Sequence, residues 1–174
     1  MNAAAKLKQL ASVLEAPVRW IGMLLGILVV ALVFCEFAVV VLRYGWQWSQ
    51  PWLRELVLAL NSAVFLLGGA YALQRDEHVR VDVLSRAWSA RTRAWVEIFG
   101  MLLIVLPFAI FVMLVSDHYV LESWRINERS NEAGGLPALW IQKALIPAMA
   151  LLLALQALAW AARHAAFLLR PGAA

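Results

Sequence analysis

Cysteine is almost missing from this chain: its 174 residues include one, Cys35. A single thiol excludes an intrachain disulfide and a cysteine metal cluster. Histidine is scarce too, with only His78, His118 and His164. A four-helix haem anchor needs histidines facing one another inside the bundle, and these three fall in a loop and at opposite helix ends, which excludes that class. Charged residues make up 15% of the chain against 64% hydrophobic, a balance that excludes an ordinary soluble domain. Catalytic signatures are absent as well: there is no glycine-rich phosphate loop, no His-Glu-x-x-His pair and no Gly-x-Ser-x-Gly turn. The expectation is a protein that is no enzyme and carries no metal or cofactor.

What the chain has instead is long apolar runs. Four of them, at about 18–43, 53–74, 95–117 and 139–162, are each long enough to cross about 30 Å of hydrocarbon at about 1.5 Å per residue. The fold class expected is an all-α integral membrane protein with four transmembrane helices, forming a single membrane domain over residues 1–174.

The net charge of +4 does not point to nucleic acid, because the basic residues collect beside the ends of the runs. Lys6, Lys8 and Arg19 precede the first run. Arg75, Arg80, Arg86, Arg91 and Arg93 lie between the second and third, and Arg163 and Arg170 follow the fourth. By the positive-inside rule the segment 75–94 is a cytoplasmic loop, 118–138 is periplasmic, and both termini are inside. Tryptophan, which favours headgroup level, agrees: Trp20, Trp88, Trp95 and Trp160 fall toward one side, and Trp46, Trp48, Trp52, Trp124 and Trp140 toward the other.

Several local features refine this layout. Leu7, Leu10, Val13 and Leu14 share a helical face, so a short N-terminal interfacial helix is expected, ending near Pro17. The apolar stretch that follows is too long for a signal-peptide core and is expected to stay as an anchor. Gly22 and Gly26 form a small-xxx-small pattern that permits close helix approach. Residues 43–52 pack one Tyr and three Trp around a Gly and a Pro and should form an interfacial segment, with Pro51 opening the second helix. Pro107 should disturb the third helix, which extends past the hydrocarbon as far as Trp124. Residues 125–137 then read as an ordered loop. Glu36, within the first run, is an intramembrane carboxylate and by default a site hypothesis.

Four stretches together resemble the small membrane (Q, DctQ-type) subunit of tripartite ATP-independent periplasmic (TRAP) transporters. They are Leu42-Arg43-Tyr44; Trp52-Leu53-Arg54-Glu55-Leu56; His78-Val79-Arg80-Val81-Asp82-Val83-Leu84; and Gly135-Leu136-Pro137-Ala138-Leu139-Trp140 with Lys143, Pro147 and Gln156. Arg54 departs from the pattern, since the family often has a second acid there.

The resemblance implies a bacterial inner-membrane subunit beside a larger membrane (M) subunit that carries the transport path. A periplasmic substrate-binding (P) protein delivers an organic acid for sodium-coupled uptake, and the small subunit is a scaffold embedded in membrane lipid. Arg43, Trp52, Glu55, His78, Asp82, Trp140 and Lys143 are then the expected assembly positions. Glu122, Arg125, Glu128 and Arg129, as exposed mixed charge on a helix extension, are the expected docking positions for the binding protein. The alternative is a small homo-oligomeric exporter that exchanges protons at Glu36.

Overall fold

The computed structural model describes residues 2–76 and 88–170. Four helices account for most of them: α1 (Ala3–Gly45), α2 (Pro51–Gln74), α3 (Ala90–Arg125) and α4 (Leu139–Leu168). Each is long and apolar enough to cross a membrane, and no strand occurs among the described residues.

α4 is the central helix. It packs against each of the other three, whereas α3 leans chiefly on α4. In the most apolar 18-residue window of α4, 39% of residues are buried, against 6% for α1, so α4 forms the core and α1 lies at the periphery. The alanine-rich sequence of α4 makes this possible. Ala150, Ala157, Ala159 and Ala166 are fully buried, because a methyl side chain lets neighbouring backbones come close where hydrophobic association offers little in lipid. Gln156 is fully buried on the same helix.

α1 does not stop at Pro17. It continues unbroken through that residue to Gly45, which corrects the expectation of a separate short N-terminal helix. An internal proline costs a helix about 3 kcal/mol, and here tertiary contacts hold the chain on both sides, with Val18 after it buried against Ala70 and Leu152. Ala11, Leu7 and Leu14 pack on Ala159 and Ala162 of α4, and Gln74 Nε2 donates to the Glu15 carbonyl at 3.0 Å. The Glu15 carboxylate approaches Arg163 Nε to 3.0 Å without the alignment of a hydrogen bond.

Residues 46–50, between α1 and α2, are not helical. Gln47 takes a left-handed conformation with φ of 52°, and Pro51 is the first residue of α2, where its missing N–H costs nothing.

α3 starts at Ala90, earlier than its apolar run, because Ser89 caps it by accepting from the Thr92 amide at 3.1 Å. The disturbance expected from Pro107 is a π-helical turn over Met101–Val105. There Leu106 donates to the Met101 carbonyl five residues back, a wide turn that absorbs the ring where regular spacing would clash. Met101, Val105 and Leu106 from this turn pack with Leu73, Ala157 and Trp160.

Trp160, near the end of the bundle opposite the loop, faces the other helices and not the bundle surface. Its ring is 4% exposed inside the bundle, and its indole N–H donates to Glu97 Oε2 at 3.0 Å, which satisfies the polar end and allows burial.

α1 and α2 meet at Gly22. A Cβ built there would penetrate the Tyr71 ring, whereas one at Gly26 meets nothing within 4 Å. Only half of the small-xxx-small pattern is therefore used within the chain. Gly22→Ala is expected to destabilise the purified protein by about 1–3 kcal/mol, as overpacking does, and Gly26→Ala to leave it unchanged or stabilise it by up to about 1 kcal/mol, since alanine is the better helix former where there is room for its methyl. Thermal unfolding in detergent, followed by circular dichroism, checks the pair.

Candidate functional site: the clasped loop at one end of the bundle

The loop between α3 and α4, residues 126–138, is held by side chains from three helices. Glu55, in the second turn of α2, accepts from the Leu136 backbone amide at 2.6 Å and from the Ser130 hydroxyl. The position before it contributes as well: Arg54 Nη2 meets Glu132 Oε2 at 3.1 Å. The arginine that departs from the family pattern thus has its own partner on the loop. Inside the loop, the Glu132 amide donates to Ser130 Oγ at 3.1 Å and the Ser130 amide to the Leu136 carbonyl at 3.0 Å.

Two loop residues take left-handed backbone conformations, Asn127 with φ of 47° and Gly134 with φ of 79°. Both belong to the residue types that tolerate this region. Gly135 is needed for a different reason. Any Cβ there would collide with Ser130 and with Glu55 Oε2, so the clasp closes over a glycine.

A second anchor lies where the loop leaves α3. Glu128 Oε2 accepts from Lys143 Nζ at 2.5 Å and from Ser123 Oγ at 2.5 Å. Lys143 also sits 4.1 Å from the centre of the Tyr119 ring, a cation–π approach that joins α3 to α4. The Glu128 backbone closes the ring by accepting from the Leu139 amide at 3.1 Å. Beside it, Trp124 and Trp140 meet at 4.6 Å between ring centroids.

The lysine's hydrogen bond, followed by that from Ser123, holds the Glu128 carboxyl below its ordinary range. A group whose folded-state pKa is depressed stabilises above its ordinary value, and that contribution is lost as pH falls through the lowered one.

The expected assembly positions therefore separate. Glu55, Trp140 and Lys143 come together around the loop, whereas Arg43 and Trp52 are exposed nearby, at the end of α1 and the start of α2. His78 and Asp82 lie outside the described residues. Of the docking positions, Glu122, Arg125 and Arg129 are exposed, and Glu122 and Arg125 are 3.9 Å apart one turn along α3. Glu128 instead turns inward to Lys143. Ser123, Ser130, Glu132 and Tyr119 also belong to the site, and no sequence signal marks them, because each is recruited by a chain reversal that spacing does not encode; Leu136 lies in the fourth resembling stretch, which does not show that its amide is what Glu55 binds.

Chemically the arrangement is a latch. Its carboxylates are bonded to cations, hydroxyls and backbone amides, and among the described residues no group of three metal-ligating side chains converges.

The family model described as "Tripartite ATP-independent periplasmic transporters, DctQ component" matches residues 32–167. The chain belongs to the DctQ family. No curated protein and no solved structure matches it at a significant level. As a DctQ component it is a transporter subunit of the inner membrane and not an enzyme, and this assignment gives the exporter alternative no support. The match spans both anchors of the loop, from Glu55 to Lys143.

Hydrogen exchange of residues 126–138, measured as a function of pH, tests the second anchor. The parent should keep its protection through the range where ordinary carboxylates protonate and lose it below. Lys143→Met, which removes the chief cause of the lowered Glu128 value, should lose protection at a clearly higher pH. Coincident profiles would show that this anchor does not order the loop.

Proposed function

We propose that this DctQ subunit is a fixed scaffold for the large membrane subunit of its TRAP transporter, and that its clasped loop helps dock the periplasmic substrate-binding protein during sodium-coupled uptake of an organic acid. In this reading both termini are cytoplasmic and the loop faces the periplasm, as the positive-inside count favours. The observation that carries the proposal is the double anchoring of the 126–138 loop by Glu55 and Lys143 within the family match.

A loop with one backbone conformation presents its surface charges at fixed positions, which lowers the entropic cost of association. Glu122, Arg125 and Arg129 offer both signs of charge on that surface. Such patterns raise association rates and select partners more than they add affinity. Glu128 serves the same docking surface by holding it in place. The assembly positions Arg43 and Trp52 flank the surface on the α1–α2 side and are available to the large subunit.

The test uses the reconstituted transporter with its own binding protein. Arg125→Glu combined with Arg129→Glu should weaken binding-protein association about tenfold at low ionic strength, mostly through the on-rate. The deficit should shrink as salt approaches the range where the screening length falls below about 8 Å. Unchanged uptake and an unchanged salt dependence would remove the docking role and leave the scaffold role standing.

A further inference from the structure

Glu36 is not part of the clasp. It lies nine residues before the end of α1 at Gly45, about 13 Å along the helix axis, and it is exposed on the surface of the bundle. Asn61, ten residues into α2, is exposed beside it. The two share a cavity of about 530 Å³ between α1 and α2, lined also by Leu32, Val33, Phe37 and Leu58. Glu36 and Asn61 make no hydrogen bond or ion pair within the chain among the described residues. Around them the large apolar side chains point outward: Val33 is 61% exposed, Phe37 65% and Leu58 58%.

A carboxylate and an amide at this depth, facing outward without partners, are too costly to leave against hydrocarbon. An acyl chain could fill the apolar part of the groove, yet it offers no donor to a carboxylate. A second copy of this chain, docked by the same face about a two-fold axis, would set two Glu36 carboxylates on one interface with only the two Asn61 amides as donors between them. A different membrane-embedded chain can present a donor without opposing one Glu36 to another.

We propose that the α1–α2 groove seats a helix of the large membrane subunit, and that this helix presents a hydrogen-bond donor, cationic or hydroxyl, to the Glu36 carboxylate. The inference rests on the family reading, which supplies a membrane-embedded partner. It adds the face by which the two subunits meet and the side-chain chemistry that faces Glu36. The apolar rim supplies packing area, and the polar pair fixes the register of the incoming helix, since a shift of one turn would leave the acid unpaired.

The experiment co-expresses the full chain with its large subunit. A benzoylphenylalanine photoprobe replaces Phe37 in the groove or, for comparison, Phe111, which is 62% exposed on α3. Failure of the parent chain to co-purify with the large subunit would overturn the family-based scaffold reading itself. Given co-purification, the Phe37 probe is expected to capture the large subunit. If it captures lipid only, or a second copy of this chain, the groove proposal falls while the scaffold reading stands.

Glu36→Leu should reduce retention of the large subunit about tenfold, the equilibrium worth of one hydrogen bond to a charged group, and Glu36→Gln should reduce it less. Retention by Glu36→Leu equal to the parent would overturn the donor to Glu36. Should Glu36→Leu fail to accumulate, the Phe37 probe in the otherwise unaltered chain still decides whether the large subunit occupies the groove.

Discussion

The loop end of this protein depends on one carboxylate. Glu55 stands on α2, yet its acceptors are filled by Leu136 and Ser130 from a segment about 80 residues later in the chain. Without it, a backbone amide and a hydroxyl would lose their partner, and the turn over Gly134 and Gly135 would have nothing to close against. Arg54 and Lys143 reinforce the same closure from α2 and α4, with charged partners that the loop itself supplies. The result is a polar lid fixed to an apolar bundle whose own interior, built on the alanines of α4, has little polar chemistry to offer.

This division of labour suits the scaffold role proposed for the subunit. Hydrophobic burial drives little association between helices in lipid, so the bundle relies on close packing at small residues, such as Gly22 against Tyr71 and Ala159 against Ala11. Most of the specific polar contacts lie toward the ends, although Gln142 of α4 also donates to Ser62, midway along α2, at 3.2 Å. At the end opposite the loop, Trp160 with Glu97 and Glu15 with Arg163 tie α3 and α1 to the central helix. The lateral surface of α1 stays open, and Glu36 is the charged group on it that lies deep within the apolar run.

The helices were legible in the sequence because a run of about twenty apolar residues has few other uses. Glu55 and Lys143 were legible as positions through resemblance, but their common role was not: two residues separated by a whole helical hairpin converge only once α2 and α4 pack together. Pro17 misled for a related reason. Local propensity favours a break there, and the contacts of Leu7, Ala11 and Leu14 with α4 override it. Residue type suggested a level for Trp160, but not that its indole would turn inward to Glu97. Glu128 looked like free surface charge until Lys143 was brought to it. In each case the deciding partner lies on another helix.

If the clasp works as proposed, the loop is a fixed part of a scaffold. The most direct test is a pulsed electron–electron distance between spin labels at Ala133, exposed on the loop, and Phe65, on the exposed face of α2, in a Cys35→Ala background. It should be made in the assembled transporter with and without sodium, substrate and binding protein. A fixed loop should give one narrow distance distribution that keeps its position under every condition. A distribution that broadens or shifts when ligands are added would show that the loop moves with transport, and would contradict the proposal.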